Sequence, residues 1–157
     1  MPRIYLALGT NKGDRLMQIK NALDALGEVL KTPPTALSDI VETPAWGFEG
    51  PDFLNCVVYF DLPEGFLTPT RLLNLTQRIE RQMGRRGGPE WDAGGHRIYH
   101  DRPIDIDILF WDTKRIRTTR LILPHPLMAQ RDFVMIPLRQ IADVEIMSAF
   151  PEIFAAK

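Results

Sequence analysis

The chain has 157 residues, 45% of them apolar and 25% charged, with a formal net charge of −1. That suits one globular domain with a single core, a size at which roughly 68–70% of the unfolded surface becomes buried. The near-neutral balance excludes a global field for nucleic acid or membranes. No apolar run approaches the ~18 residues of a bilayer span, and the start lacks a signal peptide's basic and apolar regions, so a cytoplasmic protein is expected.

RIYLALG opens the chain as a strand, with Ile4, Leu6 and Leu8 on one face. GTNKGD supplies turn and capping residues. Leu16, Ile19, Leu23 and Leu26 then recur at helical spacing, with Gly27 as the expected stop. VLKTPPTALSDIVET reads as a second strand broken near Pro33 and Pro34, TPAWGFEGPDF as a surface loop, and FLNCVVYFDL as a strand. Its Cys56 is the only cysteine, which rules out an internal disulfide and fits a small core hydrophobe. Thr68 and Pro69 mark a helix start, cap then first position. Leu72, Leu75, Ile79 and Met83 continue that helix on one face to Gly84. The segment RRGGPEWDAGGHRIYHD, 85–101, holds five Gly and Pro and reads as a long functional loop. PIDIDILFW is a strand, Asp112-Thr113-Lys114 a turn, and RIRTT its partner strand. A final helix begins around Ala129, with Pro137 as a kink. Helices among hairpin-connected strands predict an α+β sandwich with a mainly antiparallel sheet, in one domain over 1–157.

The chemistry gathers around RPIDIDILF. Alternation turns Ile104, Ile106, Ile108 and Phe110 one way, and Asp105, Asp107, Leu109 and Trp111 the other. Asp105 and Asp107 therefore share a face, with Cα atoms about 6.5–7 Å apart. A bare D-x-D fits a solvated sheet face as well as it fits a metal site. Its neighbours shift the balance: from 71 to 102 there are seven Arg and no Lys against four acids, a surplus of 7 − 4 = 3. Oxygen-only ligands suit Mg²⁺, which accepts phosphate oxygens, and Arg binds phosphate with a bidentate fork. Carboxylates beside an arginine- and glycine-rich loop point to polyphosphate. His96 and His100 are four residues apart without a third ligand, so zinc is not expected. A non-enzymatic RNA-binding module is disfavoured by the charge of −1 and by carboxylates on the sheet face.

ALGTN, ETPAWG, GPDFLN, TQRIERQMGR, RPIDIDILF and LPHPLMAQRDFVMIPL, in that order from about residue 4 to about residue 142, resemble the 6-hydroxymethyl-7,8-dihydropterin pyrophosphokinase family. The resemblance implies a ferredoxin-like two-layer α+β sandwich. It also implies transfer of pyrophosphate from ATP to the pterin hydroxymethyl group in folate biosynthesis, with release of AMP. A monomer is expected, and the charge balance predicts binding to neither nucleic acid nor membrane. By the same resemblance, Asp105 and Asp107 hold two Mg²⁺ ions. Arg85 and Arg102 engage the ATP phosphates, with 86–101 as the catalytic loop. Leu73, Gln77, Glu80, Ile108, Arg120, His125 and Arg131 contact the nucleotide. Thr43, Pro44, Trp46 and Gly47 shape the pterin pocket, Asn55 hydrogen-bonds the pterin, and Phe53 and Phe133 sandwich its ring. Phe53 stands where some members have Tyr, and Ile122 and Pro126 where some have Thr and Tyr. Either Trp91 or Tyr99 takes the place of the family's loop tryptophan. A different Mg-dependent nucleotidyl- or glycosyl-transferase using the D-x-D pair is the alternative.

Overall fold

The computed structural model describes residues 1–44, 50–84, 90–91, 93–94, 97–98 and 103–155, with the backbone alone for 90, 91, 97 and 98. Its centre is a five-stranded antiparallel sheet. β1 (Arg3–Thr10) pairs on one side with β4 (Phe53–Asp61) and on the other with β7 (Asp105–Trp111). Two short strands, β2 (Ala36–Leu37) and β3 (Val41–Thr43), pair in succession along the far side of β4. The single second strand expected over 29–43 is thus divided, and its first residues belong to the preceding helix.

Helices cover both faces. α1 (Arg15–Leu30) and α2 (Pro69–Gln82) bury Ile19, Leu26, Leu30, Leu72 and Ile79 against Ile4, Leu6, Leu8, Cys56, Ile106 and Ile108. Cys56 is 1% exposed, and burial pushes its thiol up to about 12. On the opposite face α3 (Asp132–Ile141), α4 (Val144–Ala149) and α5 (Pro151–Phe154) pack Val134, Leu138, Ile146 and Phe150 onto Tyr5, Ala7, Val57 and Phe110. Pro137 lies inside α3 without ending it. Among the described residues no helix is long and apolar enough to cross a membrane.

Several local expectations yield to packing. α1 does not stop at Gly27; it runs to Leu30, and Lys31 takes the left-handed conformation at φ 58°. A helical glycine costs about 1 kcal/mol, whereas burying Leu30 contributes about 1.5–3, so the extra turn wins. Leu16, placed on the apolar stripe by its spacing, is 62% exposed. α2 begins as expected, with Thr68 Oγ1 accepting from Arg71 N at 3.3 Å and Pro69 in the first turn. Within the expected loop, β5 (Glu90–Trp91) and β6 (Arg97–Ile98) form a short ribbon. RIRTT does not pair with β7: β8 (Ile116–Arg117) pairs with β9 (Ile122–Leu123) instead.

The alternation of β7 changes parity halfway. Leu6 pairs with Ile108, and the next β1 partner, Tyr5, pairs with Phe110, leaving Leu109 as an extra residue. This is a β-bulge. Beyond it the faces exchange, so Phe110 packs under α3 and Trp111 lies with α1 and α2. Strict alternation had assigned those two the other way; Asp105 and Asp107, before the bulge, keep the face it predicts.

Candidate active site

Along the α3 face of β1 the side chains shrink in sequence: Tyr5, Ala7, Gly9. Tyr5 and Ala7 belong to the apolar cluster. At Gly9 the apolar cluster gives way to polar neighbours. Gly9 pairs with Asn55 on one side and Asp105 on the other. Paired residues in a sheet point to the same face, so Asn55, Gly9 and Asp105 form one row, with Ala7, Val57 and Asp107 in the next. A Cβ on Gly9 would stand 2.9 Å from Asn55 Oδ1 and 3.6 Å from Phe53 Cδ1. The missing side chain therefore admits the Asn55 amide. Asn55 is 5% exposed, and its Nδ2 donates to Thr43 Oγ1 at 2.8 Å. With Nδ2 committed there, Oδ1 is the amide atom turned toward Gly9. Phe53, at the start of β4, and Phe133, in the first turn of α3, are both half-buried. Pro44 directly follows Thr43, at the end of β3.

Asp105 and Asp107 are half-buried at this end of β7. Two cationic or polar partners approach the second of them. Arg131 Nη1 lies 3.7 Å from Asp107 Oδ2, and His125 Nε2 lies 3.9 Å from the same oxygen. Both separations are longer than hydrogen bonds, and only that to Arg131 is an ion pair at neutral pH. The Arg131 guanidinium also sits 5.7 Å from the Phe133 ring centroid. The bulge places His125: its backbone N donates to the Leu109 carbonyl at 3.1 Å. His125 Nδ1 accepts from Leu127 N at 3.3 Å, so the ring proton resides on Nε2, facing Asp107. Burial lowers the His125 pKa to about 4; Arg131 adds to that shift and Asp105 opposes it. At neutral pH His125 is an uncharged N–H donor.

A second group gathers beyond the outer edge of β7. Leu73 and Gln77 are half-buried on α2, and exposed Arg120 donates from Nη2 to Asn74 Oδ1 of that helix at 2.8 Å. Glu80, 7% exposed, accepts from Ile106 N at 2.8 Å. Ile108, expected at the nucleotide, is only 5% exposed and lies in the core. β7 stands between the two groups, with its aspartates on the side of Gly9 and Asn55.

Sequence reasoning missed three positions. Gly9 is one; Asn11 and Arg15 are the others. Asn11, 2% exposed, donates from Nδ2 to Pro51 O at 3.1 Å. Arg15 Nη1 donates to Glu42 Oε2 and, at 2.9 Å, to Asp52 O. Together they tie the end of β3 and the start of β4, the two flanks of the 44–52 connection, to the β1–α1 turn. The decreasing bulk of Tyr5, Ala7 and Gly9 was a readable signal; the two loop ties were not, because their partners are 27–40 residues away. Trp46, Gly47, Arg85, Arg102, Tyr99 and the Trp91 side chain lie outside the described residues. Among the described residues no group of three His, Cys, Asp or Glu side chains could hold a metal ion.

Comparison with known proteins bears on this arrangement. The family model for 7,8-dihydro-6-hydroxymethylpterin-pyrophosphokinase (HPPK) matches residues 5–143. A 2-amino-4-hydroxy-6-hydroxymethyldihydropteridine pyrophosphokinase of Porphyromonas gingivalis is 44% identical over 148 residues, covering 90% of this chain and 92% of that protein. Its counterpart in Aquifex aeolicus is 37% identical over 142 residues, covering 90% and 81%. The Bacillus subtilis counterpart is 38% identical over 138 residues, covering 87% and 76%. A solved structure described as HPPK-DHPS in complex with substrates superposes with a TM-score of 0.57 at 15% identity, over 96% of this chain and 43% of that one, which supports the fold. The chain belongs to the 7,8-dihydro-6-hydroxymethylpterin-pyrophosphokinase family.

Proposed function

We propose that this chain transfers the terminal diphosphate of ATP to the hydroxymethyl group of 6-hydroxymethyl-7,8-dihydropterin, as a Mg²⁺-dependent, monomeric cytoplasmic enzyme of folate biosynthesis. One observation carries the reading: Asn55, Gly9 and Asp105 stand in a single cross-strand row, with Asp107 in the next. An amide suited to a heterocycle's hydrogen-bonding edge thus shares a sheet face with a carboxylate pair suited to metal-bound phosphate.

The residues fit magnesium. Asp105 and Asp107 offer only oxygen, and Mg²⁺ is commonly held by one or two carboxylates with substrate phosphates and water completing its shell. The lack of a third protein ligand among the described residues is compatible with that. His125 presents an N–H to Asp107, not a lone pair, so it suits a phosphate oxygen better than a metal. When bound, the ions supply positive charge to the phosphate oxygens.

In this reading Asn55 Oδ1 accepts an N–H from the pterin, and Phe53 and Phe133 contribute ring faces for stacking. The pterin hydroxyl oxygen forms a bond to the β-phosphorus. The bond from that phosphorus to the α,β-bridging oxygen breaks, AMP departs with the oxygen, and the hydroxyl proton passes to solvent. Arg131 and the neutral His125 Nε2–H face the phosphates beside Asp107, while Arg85 and Arg102 add positive charge as the family resemblance implies. The Leu73 and Gln77 face of α2, with Arg120, receives the nucleoside. The test is an assay with ATP, Mg²⁺ and hydroxymethyl-dihydropterin that identifies both products. AMP with the pterin diphosphate is expected; ADP, or free pyrophosphate with a nucleotidyl product, refutes the reading.

A further inference from the structure

We infer that Glu80 is a positioning residue: it sets the geometry of the Asp105–Asp107 pair by holding the strand between them. The proposal rests on the metal-site reading above and gives Glu80 a role through the backbone in place of direct nucleotide contact. β7 is the last strand of the central sheet on its side. A terminal strand turns alternate N–H and C=O groups outward, away from its neighbour. Ile106 N–H is such a group, and its residue lies midway between the two aspartates. Its acceptor is Glu80 Oε2 at 2.8 Å, on a side chain only 7% exposed.

The carboxylate is carried on a stiff support. Its neighbour Ile79 is 1% exposed in the core beneath β7, and Thr76, one turn earlier, is fully buried and donates to Leu73 O at 2.9 Å. A charged acceptor makes a shorter and stronger bond to an N–H than a neutral one. Further along the same edge, His125 N donates to Leu109 O at 3.1 Å. β7 is therefore held from outside at Ile106 and Leu109, and from inside by β1. The pleat at Ile106 determines how the Asp105 and Asp107 side chains are splayed. Sites of this kind tolerate misplacement of only about 0.5 Å.

Substitution separates the backbone role from direct contact. Glu80→Gln keeps an acceptor oxygen and removes the charge; Glu80→Ala removes both; Glu80→Asp keeps the charge but draws it back by one methylene. Acting through Ile106, Glu80→Ala and Glu80→Asp lower kcat by about 10–100-fold, the range for groups that orient metal ligands, with little change in KM for ATP. Glu80→Gln restores most of the rate. A second readout requires no turnover: amide hydrogen exchange at Ile106 in the protein without nucleotide or metal. Its protection is retained in Glu80→Gln and lost in Glu80→Ala, or in Glu80→Asp if the alanine variant does not fold. Unchanged Ile106 exchange in those variants overturns the proposal. So does a Glu80→Gln enzyme as impaired as Glu80→Ala, or a loss expressed only in KM for ATP. If the unaltered chain makes no AMP, the functional reading fails, while the exchange experiment still decides whether Glu80 holds the strand.

Discussion

At the Arg3 end of β1, carboxylates are matched at hydrogen-bonding distance. Arg3 donates from Nε and Nη2 to Asp61 at 2.7 and 2.9 Å and from Nη1 to Asp143 at 3.2 Å, and its backbone N donates to Asp112 at 2.7 Å. Tyr5 Oη donates to the same Asp143 at 2.9 Å and accepts from its backbone N at 3.0 Å. At the Gly9 end, Arg131 Nη1 and His125 Nε2 lie 3.7 and 3.9 Å from Asp107 Oδ2. One strand thus runs from a hydrogen-bonded network around Arg3 to a carboxylate pair beside Arg131 and the neutral His125. The first arrangement fastens the α3–α4 junction to the sheet. In the proposed function the second presents carboxylate oxygens to cations brought by a substrate.

Breaking each end in turn sharpens the contrast. The largest effect is expected at the Gly9 end: Asp105→Ala or Asp107→Ala should reduce AMP formation by about a thousandfold, the scale of lost metal-phosphate stabilisation. Their denaturant midpoints should stay within about 0.5 kcal/mol of the parent, as for other partly exposed positions; near-normal turnover in both would remove the pair from the reaction.

Gly9→Ala comes next. The added methyl meets Asn55 Oδ1 at 2.9 Å, so weaker pterin binding by roughly 5–100-fold is expected, the equivalent of one hydrogen bond worth about 1–3 kcal/mol. Equilibrium titration with the pterin measures it, and unchanged affinity would show that Asn55 does not need that space.

The Arg3 end should respond in the opposite sense. Arg3→Met should cost about 1–3 kcal/mol of stability by leaving charged partners unmet, with kcat and KM unaltered; a fall in kcat in a folded variant would contradict the separation of the two ends.

The smallest effect is a pH dependence. Burial raises the Tyr5 pKa above its ordinary 10, with Asp143 and Arg3 the groups facing its hydroxyl. Above pH ~10 the unfolded chain loses that proton first, so folding stability declines as pH rises. Tyr5→Phe should lose about 1 kcal/mol at neutral pH and show a flatter decline between pH 10 and 11 in urea midpoints. An equal slope in both proteins would assign the alkaline loss elsewhere.

How much of this could be read beforehand depends on the range of the interactions involved. The start of α2 was legible because Thr68, Pro69 and the leucines after them act within a few residues of one another. The shared face of Asp105 and Asp107 was legible because strand alternation is local. The extension of α1 past Gly27 was not, since it depends on Leu30 finding a core built largely from strands far along the chain. Nor was the pairing of RIRTT with β9, which a tight turn at Asp112 appeared to preclude. In the site, the aspartates followed from spacing and most other roles from family resemblance. Asn11 and Arg15 stayed hidden because what identifies them is the neighbour that folding brings, whereas the falling bulk of Tyr5, Ala7 and Gly9 was there to be read.

The bulge at Leu109 has an evolutionary side. Counted back by twos from buried Trp111, both aspartates would fall inside the α1–α2 core; counted forward from Ile104, they fall on the face of Gly9 and Asn55. One supernumerary residue reconciles the two counts. Deletion of Leu109 alone would restore plain alternation and leave both aspartates, Phe110 and Trp111 on their present sides, but it would remove the carbonyl that receives the His125 backbone N–H. Lineages that lose this residue should therefore keep the aspartates beside Gly9 and lose the tie to His125.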